Sequence, residues 1–265
     1  MNFTETLKVY LQYAPNALAV ERSWEIELLS KENFERPILD IGCGEGIFGR
    51  ILTSVPIEFG LDPNAKELSR AKKLGAYKQL ILANGAHIPL ENDSIQTVIS
   101  NSTLEHIPNL DAVMIEIHRV LKRKGHLYVT LPTDKFDHYA IVALVLDSLG
   151  LTNLASRYRK QFNRFWAHYN FMHPNQWEDY FNGLGFEVEK KIGYGKKWAC
   201  VLNESTVPFS IIAFINKKIL NKWTFSNRFK YYYSAPLRKI FEKTSSSFIE
   251  DLNSAGLIYF KLVKI

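Results

Sequence analysis

From about residue 37 onward, short apolar runs alternate with stretches whose apolar positions recur every three or four residues. Residues 37–41, 57–61, 77–82, 95–101 and 126–131 each read as a short buried strand. Between them, 46–53, 64–74 and 111–122 carry helical spacing. Strands separated by helices of about ten residues imply βαβ units, and hence an α/β fold with a parallel sheet covered on both faces. Upstream, 4–29 is helical, with Leu7, Tyr10, Leu11 and Ala14, then Trp24 and Leu28, spaced around Pro15. The alternation stops after the fifth strand. Residues 135–164 are helical without a strand partner, 175–182 form a helix ended by Gly183, and 186–190 and 257–265 read as strands. One domain over 1–265 is therefore expected, with a core at 37–131, a cap insertion at about 133–173, a second insertion at about 193–255 and a final strand at 257–265.

Charge changes the picture in one place. The chain carries a formal net charge of +6, and 207–243 holds Lys217, Lys218, Lys222, Arg228, Lys230, Arg238, Lys239 and Lys243 against Glu242 alone. So one-sided a segment fits nucleic acid, an anionic membrane surface or a phosphorylated substrate. Cys43 and Cys200 are the only cysteines. Two in this length make neither a disulfide framework nor a metal-ligand cluster, so no metal is expected and a reducing cytoplasm is the expected compartment. The N-terminus lacks a basic start followed by an apolar core, so no signal peptide is expected. No apolar run approaches the ~20 residues of a membrane span.

The chemistry begins at Ile38-Leu39-Asp40-Ile41-Gly42-Cys43-Gly44-Glu45-Gly46, where a buried strand enters a glycine-rich turn that opens a helix. Glycine permits the sharp turn and a close approach of backbone to ligand. Two readings compete. Gly44, Gly46 and Gly49 fit the GxGxxG dinucleotide fingerprint, with Asp62 downstream as the ribose acid. Against it, Asp40 stands at the strand end, where a carboxylate suits a cofactor with a cationic amino-acid end better than a pyrophosphate.

The same segment resembles motif I of the class I S-adenosylmethionine-dependent methyltransferases, an acid followed by GxGxG. Further pieces follow in the family's order. Phe59-Gly60-Leu61-Asp62-Pro63-Asn64 resembles the ribose-binding motif. Residues 83–90 resemble D-A-x-x-L-P-F, with Asn84 for the acid and Gly85 for alanine, and 95–98 resemble F-D-x-V, with Gln96 for the acid. Residues 101–108, through Ser102, Leu104 and His106, resemble the post-strand-four motif of the ubiquinone-type (type 11) subfamily. Residues 118–127 resemble R-V-L-K-P-G-G-x-L, with Arg123 and Lys124 replacing Pro-Gly.

The resemblance implies a Rossmann-like, doubly wound seven-stranded sheet, mostly parallel with an antiparallel last strand, carrying helical cap insertions. It implies S-adenosyl-L-methionine as cofactor. Asp40 would hold the methionine amino group, and Gly42, Cys43, Gly44 and Gly46 would line the amino-acid end. Asp62, followed by Pro63, would bind the ribose, Asn84 and Gly85 the adenine, and Ser102 and Leu104 would border the sulfonium. Methyl transfer is a direct displacement, so alignment supplies much of the catalysis and the donor is better defined than the acceptor. Both insertions should roof the active site, since ligands of open α/β sheets bind beyond the carboxyl ends of the strands. The aromatic stretch 162–175 contains His168 and His173. His106 and His168 are the candidate bases, and Tyr169 a candidate for orienting the acceptor. In the second insertion Ile212, Ile215, Ile219 and Trp223 share a helical face beside Lys217 and Lys218, the signature of a surface-lying amphipathic helix. The expected acceptor is a small molecule, a lipid or a lipid-linked glycan, with peripheral contact at the inner, anionic membrane face. An RNA methyltransferase is disfavoured, because 101–104 read Asn-Ser-Thr-Leu and not N-P-P-Y. A non-catalytic S-adenosylmethionine-binding protein is the remaining alternative.

Overall fold

Seven strands form one sheet in the order β3-β2-β1-β4-β5-β7-β6. They are β1 (Ile38–Ile41), β2 (Ile57–Asp62), β3 (Tyr77–Leu82), β4 (Ile95–Asn101), β5 (Leu121–Pro132), β6 (Phe186–Tyr194) and β7 (Leu257–Lys264). The computed structural model describes residues 2–207, 213, 215–217, 219, 238–246, 248 and 251–265. β1 to β5 are parallel, and β7 runs antiparallel between β5 and β6. The strand order reverses at β1/β4, which places the crevice of a doubly wound sheet just past the ends of those strands. The fold is Rossmann-like.

The helices between the strands are α3 (Ile47–Leu52), α4 (Ala65–Leu74) and α5 (Leu110–Val120). The ends of α4 show why it stops where it does. Asn64 caps its start by accepting from the Lys66 N–H, and Gly75, at φ 63°, turns the chain out of it. The helix expected to reach residue 122 ends at Val120, because Leu121 pairs with Ile95 and is drawn into β5. β6 likewise runs past the expected residue 190 to Tyr194, since β7 offers it partners along that whole length.

Two layers cover the sheet. On one face α5 and α8 (Pro174–Gly183) bury Val113, Ile117, Trp177 and Phe181 against the strands. On the other, α1 (Phe3–Tyr13) and α2 (Asn16–Leu29) bury Phe3, Leu7, Tyr10 and Trp24 with Tyr128, Tyr194 and Tyr259. α1 begins with a capping box between Asn2 and Glu5. Within 133–173 lie α6 (Ile141–Ser148) and α7 (Thr152–Phe165), and α9 (Lys197–Glu204) follows β6. Most of 207–243 lies outside the described residues, including Ile212, Lys218, Lys222, Trp223, Arg228 and Lys230. No helix among the described residues is long and apolar enough to cross a membrane.

Candidate active site

The turn after β1 is held in left-handed backbone: Gly42, Gly44 and Gly46 have φ of 72°, 52° and 81°, a region that L side chains enter at a cost of roughly 1–2 kcal/mol. At Gly42 a Cβ would also collide with the Thr103 side chain. At Gly44 it would meet nothing within 4 Å, so open space lies over the middle of the turn. The turn is pinned to the end of β2: Gly42 and Cys43 both donate to the Leu61 carbonyl (2.8 and 3.1 Å). Asp62 accepts from the Gly44 N–H (3.0 Å) on one carboxylate oxygen and from the Asn64 N–H (2.8 Å) on the other. Burial raises its carboxyl above the ordinary range, against the pull of those N–H groups. A braced acid beside an open glycine cradle fits a ribose next to the amino-acid end of a nucleoside cofactor.

Asp40 is buried and accepts a 2.6 Å hydrogen bond from the Tyr77 hydroxyl. Burial pushes its carboxyl up to about 7, with the tyrosine bond pulling down and Asp62 pushing further up. Tyr77 also accounts for the third glycine of the dinucleotide fingerprint. A Cβ on Gly49 would stand 2.5 Å from the Tyr77 hydroxyl, so Gly49 makes room for the tyrosine that reaches Asp40. Cys43 is buried, and burial pushes its thiol well up, which suits packing and not nucleophilic attack. Across the crevice, Asn84 is exposed and its Oδ1 accepts from the Ala86 N–H (3.1 Å), while Gly85 is buried against Val113. Pro63, exposed, continues from Asp62 towards α4.

After β4 the chain turns at Ser102, whose φ of 44° is unusual for a serine. Its N–H donates to Thr130 Oγ1 (2.9 Å), and its hydroxyl donates to Glu25 of α2 (2.6 Å). Glu25 is fully buried and also accepts from Arg22 (2.6 Å), Asn101 (2.8 Å) and the Tyr194 hydroxyl (3.3 Å). Arg22 donates to Ser102 Oγ as well (2.8 Å). Burial works against the Arg22 charge, but Glu25 and Glu21 hold the guanidinium ionised. Arg22 and Glu25 were not among the expected site residues. Their signal is a polar stripe of Glu21, Arg22 and Glu25 within α2. Leu104 is fully buried in the core, and its carbonyl accepts from Asn170 Nδ2.

The cap is stitched to the turn that follows β4. Tyr169 and Asn170 donate their N–H groups to the Glu105 carbonyl (2.7 and 3.1 Å), and Asn170 Nδ2 donates to the Leu104 and Ile107 carbonyls (2.9 and 2.7 Å). This brings the rings of His106 and His168 to 5.2 Å between centroids. Burial lowers both imidazoles, His168 to about 4, so the pair is neutral at neutral pH. The same backbone bonds turn Tyr169 outward. Its ring is 58% exposed and borders a shallow depression beside Arg159, Lys160 and Arg164. His173 caps α8 and meets Asn253 at 2.8 Å.

Ser102, His106 and His168 open onto a cavity of about 610 Å³ between α2, the cap and α9. Phe136, Tyr158, Phe162 and Trp166 form aromatic walls, and Glu21, Glu105 and Glu204 add carboxyl groups. Apolar walls with a few polar groups are the common form of a small-molecule pocket.

Residues 39–129 match the family described as a methyltransferase domain, type 11. A malonyl-[acyl-carrier protein] O-methyltransferase from Hamiltonella defensa is 32% identical over 89 residues, 33% of this chain and 34% of that protein. A sterol 4-C-methyltransferase from Caenorhabditis elegans is 35% identical over 112 residues, 37% of this chain and 32% of that protein. The chain thus spans about a third of the length of these curated relatives. The crystal structure of an S-adenosylmethionine-dependent methyltransferase from Thermotoga maritima superposes with a TM-score of 0.55 at 16% identity, covering 93% of this chain and 91% of that one.

Proposed function

We propose that this chain, whose residues 39–129 match a methyltransferase domain, is an S-adenosylmethionine-dependent methyltransferase that acts on an acceptor with an apolar body, a small molecule or a lipid-like one. The supporting observation is that the glycine cradle, braced by Asp62, packs at Gly42 against Thr103, the neighbour of Ser102, which lines the 610 Å³ aromatic cavity. The cofactor supplies an activated methyl group on a sulfonium. Asp62 would accept from the ribose hydroxyls, Asp40 and the Gly42–Gly46 turn would take the amino-acid end, and Asn84 with Gly85 would border the adenine. The cavity walls would exclude water and align the acceptor, an effect worth up to ~7–11 kcal/mol of barrier. His106 and His168, neutral and side by side in the cavity lining, are available to take a proton.

Calorimetry tests this reading. S-adenosylmethionine and S-adenosylhomocysteine should bind while NAD and NADP do not. Asp62→Ala should weaken binding by ~1.5–3 kcal/mol for each charge-assisted hydrogen bond lost. Nicotinamide binding without an adenosylmethionine signal would sink the assignment. Labelled cofactor incubated with fractionated cell extract should then mark the acceptor.

A second reading concerns where the protein works. Ile215 and Ile219 are 51% and 73% exposed within the basic second insertion. Exposed isoleucines in a cationic segment support peripheral contact with an anionic membrane, which vesicle co-sedimentation checks.

A further inference from the structure

We infer that the free edge of the Arg22 guanidinium is a carboxylate site, filled by the carboxylate of a ligand bound at the junction of the glycine turn and the aromatic cavity. This rests on the methyltransferase reading above and adds to it a ligand group and the residue that takes it.

Arg22 lines the cavity from α2, beside Ser102. Its Nη1 donates to both carboxylate oxygens of Glu25 (2.7 and 2.6 Å) and to Ser102 Oγ (2.8 Å). Those bonds hold the guanidinium in place. Nε and Nη2 donate to no described residue, yet neither is shut away from open space, and the side chain keeps 17% of its surface accessible. These two nitrogens share the edge turned away from Nη1. Their N–H bonds run side by side, the fork that meets two oxygens of one planar group.

Fork and charge together select the ligand. A hydroxyl or a lone carbonyl presents one oxygen to two prongs, whereas a carboxylate presents two. A phosphate dianion also presents two, but it sets a second negative charge beside the buried Glu25. The rest of the described lining opposes a single negative charge little. Burial raises the carboxyls of Glu105 to about 8 and of Glu21 to about 7, and it raises Glu204 as well. Burial also keeps His106 and His168 neutral. Arg22 is thus the permanent cation of that lining, and a carboxylate entering it has one charged partner to find.

Two ligands can bring the carboxylate there. Ser102 ties Arg22 to the turn whose next residue, Thr103, packs on Gly42, so the amino-acid carboxylate of S-adenosylmethionine is one source. The cavity on the other side of Arg22 is the place read above for the acceptor, and a carboxylate of the acceptor is the second source.

Equilibrium binding to the full chain separates them, at about pH 6.5, where the raised carboxyls are mostly uncharged. The first arm compares S-adenosylhomocysteine with S-adenosyl-3-thiopropylamine, which lacks only the carboxylate. The second compares octanoate with octanol, and indole-3-acetate with tryptophol, with and without S-adenosylhomocysteine bound. In at least one arm the carboxylate should tighten binding about tenfold or more. Arg22→Lys keeps a charge opposite Glu25 but loses the fork, and it should remove most of that gain. Arg22→Met with Glu25→Gln removes the pair without stranding a charge and should do the same. Counterparts lacking the carboxylate should bind these variants as they bind the wild type. The arm that responds identifies the source. No carboxylate gain in either arm, or a gain that survives in a variant that folds, would overturn the site. If neither variant folds, the wild-type comparisons decide. A wild type that binds no S-adenosylhomocysteine would overturn the methyltransferase reading instead, while the cofactor-free second arm still scores the carboxylate site.

Discussion

At the scale of single residues, the site concentrates carboxyl groups that burial keeps protonated. Asp40 and Glu21 stand at about 7 and Glu105 at about 8, each raised chiefly by burial. A carboxyl raised in the folded state contributes stability that is full below its unfolded value, near 4, and is lost as pH rises through its folded value. Other groups oppose this, His168 and Glu116 among them. His168, lowered to about 4 by burial, begins to favour unfolding below pH ~6.5. Glu116, held at about 2 chiefly by Arg119, changes only in acid. The cofactor-free protein should therefore gain stability as pH falls from 8.5 to 6.5, by a few kcal/mol at ~1.4 kcal/mol per pH unit per group. Thermal denaturation across that window checks it, and a melting temperature that stays flat or falls would contradict these protonation states. Asp40 and Asp62 were legible as a motif. Their bracing by Tyr77 and by the Gly44 N–H was not, because those partners come from a strand or turn distant in sequence.

At the scale of elements, α2 does more than cover the sheet. Through Glu25 it gathers donors from Arg22 on its own face, Asn101 at the end of β4, Ser102 just after it, and Tyr194 at the end of β6. Removing one member of a buried ion pair strands the other, a loss of ~3–5 kcal/mol. Glu25→Ala should cost about that much in urea unfolding and should also weaken S-adenosylhomocysteine binding, because Ser102 loses its anchor. A variant as stable as the wild type would mean that Arg22 finds another partner. The periodicity of 4–29 identified a helical segment and its apolar positions. It could not reveal that the polar stripe turns inward, since a 3.6-residue pattern reads the same whether a charged face meets water or a buried partner.

At the scale of the whole molecule, α2, the cap and α9 enclose the aromatic cavity, while Lys217 of the basic insertion reaches the glycine turn and α4. Lys217 lies 3.0 Å from Glu67 and 3.7 Å from Glu45, so part of the cationic excess is tied to the cofactor domain. The exposed Ile215 and Ile219 then become the better probes of membrane contact. Wild-type protein should co-sediment with anionic vesicles at low salt and be released as salt rises. Ile215→Ser with Ile219→Ser should reduce co-sedimentation several-fold without changing S-adenosylhomocysteine affinity. Indifference of the wild type to anionic vesicles would remove the membrane reading. The cofactor half was readable along the chain because its parts are local: an alternating strand and helix pattern, glycines where backbone must turn left-handed, and acids at strand ends. The aromatic cavity was not. It draws walls from α2, the turn after β4, the cap and α9, which are scattered over nearly two hundred residues. Which of their side chains face one another depends on packing angles that no local spacing encodes. So the donor chemistry belongs to the sequence, while the inward turn of Tyr77, Glu25 and Glu105 and the outward turn of Tyr169 were decided only when the layers closed.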